Sequence, residues 1–80
     1  MLTFEEIKEM AKKFAMERAN ADNVWYCGKE GSWYFFLYKK SKLPRYTGFP
    51  MGLRININGS TERIIDLGAR SKMMDNMTKI

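Results

Sequence analysis

Cys27 is the chain's one thiol, and no histidine accompanies it anywhere in the 80 residues. Histidine is the usual base for a Ser or Cys nucleophile and the commonest metal ligand, so its absence removes both chemistries in their ordinary forms. A single cysteine without histidine cannot make a structural zinc site, nor can it close an internal disulfide. Cys27 lies among Val24, Trp25 and Tyr26, a setting that suits a buried, inert thiol better than a reactive one. The carboxylates offer little more. Glu5, Glu6 and Glu9 belong to a helix and its first turn. Glu62 and Asp66, read as two residues of one strand, stand about 13 Å apart along it, too far for a glycosidase pair. Gly28-x-x-Gly31 and Gly68-Ala69-Arg70-Ser71-Lys72 lack the phosphate-cradling patterns of nucleotide-binding loops. The expectation is a protein that is not an enzyme and takes no cofactor.

Two other groups of residues carry binding chemistry. Trp33 to Tyr38 is a strand of five aromatics and one leucine, greasy on both faces. Trp33, Phe35 and Leu37 point one way, and Tyr34, Phe36 and Tyr38 the other. One amphipathic helix can cover a single face, so the Tyr34–Phe36–Tyr38 row is expected at a contact surface, as anchors with polar tips. Directly after it, residues 39–54 hold Lys39, Lys40, Lys42, Arg45 and Arg54 and no acid. With Tyr46 and Phe49 interleaved, these cations suit phosphate contact with base stacking, or the steering of an acidic protein. The expected contact set is Tyr34, Phe36, Tyr38, Lys39, Lys40, Lys42, Arg45, Tyr46 and Arg54.

The elements that must position these groups are readable. Thr3 and Glu6 have capping-box spacing, and Leu2 and Ile7 can form a hydrophobic staple. Phe4, Ile7, Met10, Ala11, Phe14 and Ala15 then make one apolar stripe, ended by Asn20-Ala21-Asp22-Asn23. Val24 to Cys27 reads as a short strand, Gly28 to Ser32 as a turn, and Trp33 to Tyr38 as the aromatic strand. Met51, Leu53, Ile55 and Ile57 alternate with Gly52, Arg54 and Asn56, the period of a half-buried strand. Asn58-Gly59, two residues that tolerate positive φ, predicts a hairpin, and Thr61 to Leu67 the returning strand. Ser71 is placed to cap a short terminal helix with Met73, Met74, Met77 and Ile80 on its apolar side. The whole is one α+β domain, residues 1–80, with a core in 1–68 and a short helix or tail in 69–80. A long N-terminal helix lies on a three- or four-stranded antiparallel sheet.

The net charge of +5 is uneven: residues 1–38 sum to −1 and residues 39–80 to +6, which points to an acidic partner for the second half. The longest apolar run, six residues, is far short of a membrane span, and no leader pattern opens the chain. A cytoplasmic monomer or homodimer is expected.

Gly31-x-Trp33-Tyr34-Phe35, Gly48-Phe49-Pro50 leading into an apolar strand, the Asn58-Gly59 hairpin, and Ile64-x-x-Leu67-Gly68 before a terminal helix together resemble small bacterial toxin-immunity domains of α+β type. The resemblance implies a non-enzymatic inhibitor that occludes a protein effector; it fixes no binding residue. The helix–strands–helix order, with Gly68-Ala69 before Ser71-Lys72, is also similar to double-stranded-RNA-binding domains. That similarity implies a small basic RNA-binding domain instead. Where such domains continue with lysines, this chain has Met73, Met74 and Asp75.

Overall fold

The first helix, α1 (Phe4–Ala19), begins where its sequence says it should. The Thr3 hydroxyl accepts from the Glu6 N–H at 3.2 Å, and the Thr3 N–H donates to the Glu6 carboxylate at 2.9 Å. Two otherwise unpaired helix-end donors are thereby satisfied. At the other end Asn20 turns left-handed, with φ 51°, so that the Ala21 N–H reaches back to the Ala15 carbonyl at 3.1 Å. A computed structural model describes residues 1–40 and 49–80.

Among the described residues five strands follow: β1 (Asn23–Glu30), β2 (Trp33–Lys39), β3 (Met51–Asn56), β4 (Thr61–Ile64) and β5 (Thr78–Lys79). They form one antiparallel sheet in the order β4-β3-β2-β1-β5. The expected architecture is therefore present, with one strand more than the sequence suggested. The additional strand is β5, which pairs Trp25 with Lys79 and Tyr26 with Thr78.

α1 covers one face of this sheet. Ile7, Ala11 and Ala15 are fully buried, and the two alanines let the helix backbone lie close to the strands. Their partners are Val24, Phe36, Tyr38, Leu53 and Ile55, with Phe4, Met10, Phe14, Tyr26 and Tyr34 packed around them. The Phe4 ring stacks on Tyr34 at 5.2 Å, and Phe14 meets Tyr38 edge-on at 6.1 Å. Burying such rings supplies most of the drive to fold.

Two local expectations are corrected. The Gly28–Ser32 turn is smaller than predicted, because β1 runs on to Glu30 and only Gly31 and Ser32 form the loop. This is possible because Cys27 is an extra, bulged residue: Tyr26 pairs with Phe36 and Gly28 already with Phe35. At the second hairpin only Gly59 takes a positive φ, 96°, while Asn58 does not. The Gly59 N–H bonds to the Asn56 carbonyl at 2.9 Å and the Asn56 N–H to the Ser60 carbonyl at 2.8 Å, a three-residue loop closed by a left-handed glycine.

The second correction concerns the C-terminal part. β4 stops at Ile64, and Asp66 is not in a strand with Glu62. Its carboxylate accepts from the Ala69 N–H at 2.8 Å and caps α2 (Leu67–Met73). Ser71 is inside this helix rather than at its start. A 3-10 turn, η1 (Met74–Asn76), leads to β5, and the Ile80 N–H bonds to the Val24 carbonyl at 3.0 Å. α2 lies on the sheet face opposite α1, above Gly52, where Arg70 crosses the strand. Both faces thus carry a helix, and the second is covered only by a short one.

A candidate interaction surface at one corner of the sheet

The Tyr34–Phe36–Tyr38 row does not form the expected contact surface. It faces α1: Phe36 is 0% and Tyr38 2% exposed, and Tyr34 is held between Phe4 and Tyr26. Burial pushes the Tyr38 hydroxyl above its ordinary titration range. The physical reason is register. Phe36 lies opposite Leu53, and Tyr34 opposite Ile55, so the tyrosine row shares a face with the apolar side of β3. The helix goes where both strands are greasy.

Arg54 is also engaged within the molecule. Its Nε donates to the Glu62 carboxylate at 2.8 Å, with Nη2 on the same oxygen, and its guanidinium stands 4.0 Å from the centre of the Trp33 ring. It closes a Trp33–Arg54–Glu62 row across three strands of the second face and is not a free steering cation. Lys42, Arg45 and Tyr46 lie outside the described residues. Lys39 and Lys40, at the end of β2, remain from the expected set as partly exposed cations.

The second face also holds Cys27. With Phe35, Ala69, Lys72, Met73 and Asn76 it lines a shallow groove of about 370 Å³ beside α2. Its thiol points toward the Trp25 carbonyl at 3.8 Å, and burial pushes its pKa up to about 11. Such a thiol is protonated at neutral pH and a poor nucleophile. Among the described residues, no three His, Cys, Asp or Glu side chains gather as metal ligands. No helix of the described residues is long and apolar enough to cross a membrane.

What the structure does bring together is a corner that the sequence did not reveal. One guanidinium ties it: Arg70 donates to the Pro50 carbonyl at 3.1 Å and to the Ile65 carbonyl at 3.2 Å. The entry to β3 and the exit of β4 are therefore neighbours. Around this clamp Phe49 is 41%, Leu67 53% and Ile65 72% exposed. Scattered apolar residues are ordinary on a surface, but here three large exposed ones flank a single junction. Lys39 and Lys40 leave β2 at this same end of the sheet, where Tyr38 pairs with Met51. Exposed Arg63 is two residues before Ile65. Asp66 is the nearby acid, and its carboxylate is occupied as the helix cap.

Beside this corner, between α1 and β4, runs a groove of about 330 Å³ lined by Met10, Lys13, Phe14, Glu17, Arg18 and Thr61. Arg18 lies 5.3 Å from the Phe14 ring centre. Sequence reasoning missed Arg63, Ile65 and Leu67 because it ran the last strand through to Leu67, where alternation would have turned some of them inward. The available signal was Asp66-Leu67-Gly68-Ala69, an Asp placed to cap a helix. No family model, characterised protein or solved structure matches this chain.

Proposed function

We propose that this chain is a non-enzymatic interaction protein that binds and occludes an acidic protein partner, as the immunity-domain resemblance implies. The observation that carries the reading is the exposure of Phe49, Ile65 and Leu67 around the Arg70 clamp, at the end of the sheet where Lys40 leaves β2 and close in sequence to Arg63. Exposed apolar residues flanked mainly by cations fit a protein surface of the opposite sign: the apolar residues anchor it, and the cations orient its approach. Four groups that nucleophilic or acid–base chemistry could draw on are buried or engaged. Cys27 is buried, Glu62 is held by Arg54, and the Glu6 and Asp66 side chains cap helices. Binding to duplex RNA is supported less well, because Ile65 and Leu67 offer nothing to a phosphate backbone.

The experiment is retention of interacting proteins on the immobilised chain, followed by titration of each purified candidate. Ile65→Asp with Leu67→Asp, and separately Lys40→Glu, should each weaken the true partner at least about tenfold, or about 1.4 kcal/mol. Thermal unfolding checks that the variants fold. A partner that binds wild type and variants alike would refute the surface. Salt-sensitive binding to duplex RNA at comparable strength would replace the reading with a nucleic-acid one.

A further inference from the structure

β4 lies at the sheet's edge, and its pairing with β3 fixes which of its backbone groups face outward. The Asn56 N–H bonds to Ser60, while the Ile57 N–H turns the other way, to the Ser32 carbonyl at 3.0 Å. Antiparallel ladders alternate, so Arg54 and Gly52 bond with Glu62 and Ile64, whereas Leu53 and Ile55 bond with β2. The N–H and C=O groups of Thr61 and Arg63 therefore point away from the sheet, and no described strand pairs with them. The side chains of the same two residues lie on the α1 face, as those of their partners Ile55 and Leu53 do. That face of the edge is where Lys13, Phe14 and Arg18 line the groove.

We propose that an extended acidic segment of the partner adds antiparallel to β4 as a sixth strand. This rests on the protein-binding reading above and names its mode. Two outward residues allow four backbone hydrogen bonds, the usual source of affinity in strand addition. The added residues opposite Thr61 and Arg63 would stand over the groove, facing Arg63, Lys13 and Arg18 against the single carboxylate of Glu17. Acidic side chains with apolar stems fit there. A second copy of the chain does not. A two-fold axis through paired edges matches residues of equal parity, so the two best-overlapping registers set Glu62 opposite Glu62 or Arg63 opposite Arg63. Like charges directly opposed destabilise a strand pair.

The probe is a capped seven-residue peptide alternating valine with glutamate, compared with the same peptide carrying lysine for glutamate, read by amide exchange of the whole chain. The acidic peptide should slow exchange at Thr61 and Arg63 at least about tenfold, with Glu62 and Ile64 unchanged because they already bond to β3. Proline is tolerated where an edge N–H faces solvent. Arg63→Pro, and Thr61→Pro as a second variant, should abolish the protection, and Arg63→Glu should reduce it. Equal protection by both peptides, or none at Thr61 and Arg63, overturns the proposal. A partner that is lost with Ile65→Asp but retained by both proline variants keeps the docking corner and eliminates the added strand.

Discussion

A methyl group built on Gly52 would stand 2.8 Å from both the Cβ and the carbonyl oxygen of Ile64, and 3.1 Å from Cγ of Arg70. Two of those atoms are backbone or rigidly branched, so neither moves cheaply. The absent side chain is what lets α2 approach the sheet and lets Arg70 lie across β3 to reach Pro50 and Ile65. Gly52→Ala should therefore cost about 1–3 kcal/mol, the usual range for overpacking a filled site. Gly68 gives the contrast. It lies in the first turn of α2, and an added methyl there meets only the Asp66 carboxylate at 3.4 Å. Gly68→Ala should be neutral or stabilise by up to about 1 kcal/mol, through helix propensity. Urea unfolding of the two variants decides it; a Gly52→Ala protein as stable as wild type would mean that Ile64 and Arg70 do not pack against Gly52 as the structure puts them.

The elements differ in how plainly they can be read from the chain. α1 was legible because its signals are local: a capping box, a stripe of period 3.6 and the Asn20-Ala21-Asp22-Asn23 stop. Thr3→Ala should cost about 1 kcal/mol by removing the hydroxyl acceptor, while Thr3→Ser should retain most of it. Thermal unfolding that fails to separate the two variants would remove the cap from this account. β3 was legible for the same reason, through strict alternation. The bulge at Cys27 was not, since a single extra residue leaves no mark in a short apolar run. β5 is two residues long and exists only because β1 offers an edge, so nothing in Thr78-Lys79 announces it. The candidate surface was misread at the level of register. Trp33-Phe35-Leu37 and Tyr34-Phe36-Tyr38 are equally greasy, and only the cross-strand alignment of Phe36 with Leu53 selects the face that α1 covers. A slip of one residue would have exposed the other row. Lys39 closes β2 instead of opening the loop after it, and Lys40 follows directly; the apolar corner depends on Arg70 joining residues distant in sequence.

Over the whole molecule, protonation and folding are coupled most strongly on the alkaline side. Burial raises the Cys27 thiol from 9.0 to about 11, and it also raises Tyr26 and Tyr38 from 10.0, mainly by desolvation. All three must lose their protons in the unfolded chain at ordinary values but keep them in the folded one. Between those two ranges the unfolded state binds fewer protons, so stability falls as pH rises. The loss begins near pH 9, where the free thiol titrates, and continues through about 11. Glu6 works in the opposite sense: the Thr3 N–H holds its carboxyl below 4.5, so its small contribution disappears only as pH falls through that range. The urea midpoint should therefore be flat from pH 6 to 8 and decline from pH 9 upward. Cys27→Ala should decline less steeply, because it removes the first of the three alkaline groups. Native protein at pH 8 should also resist iodoacetamide until urea unfolds it, since the reactive thiolate is scarce and the sulfur is covered. A midpoint unchanged from pH 8 to 11, or a native thiol that alkylates at the rate of an unfolded one, would show that the Cys27 thiol is not buried as the structure has it. It would also return the second face, rather than the β4 corner, to consideration as the working surface.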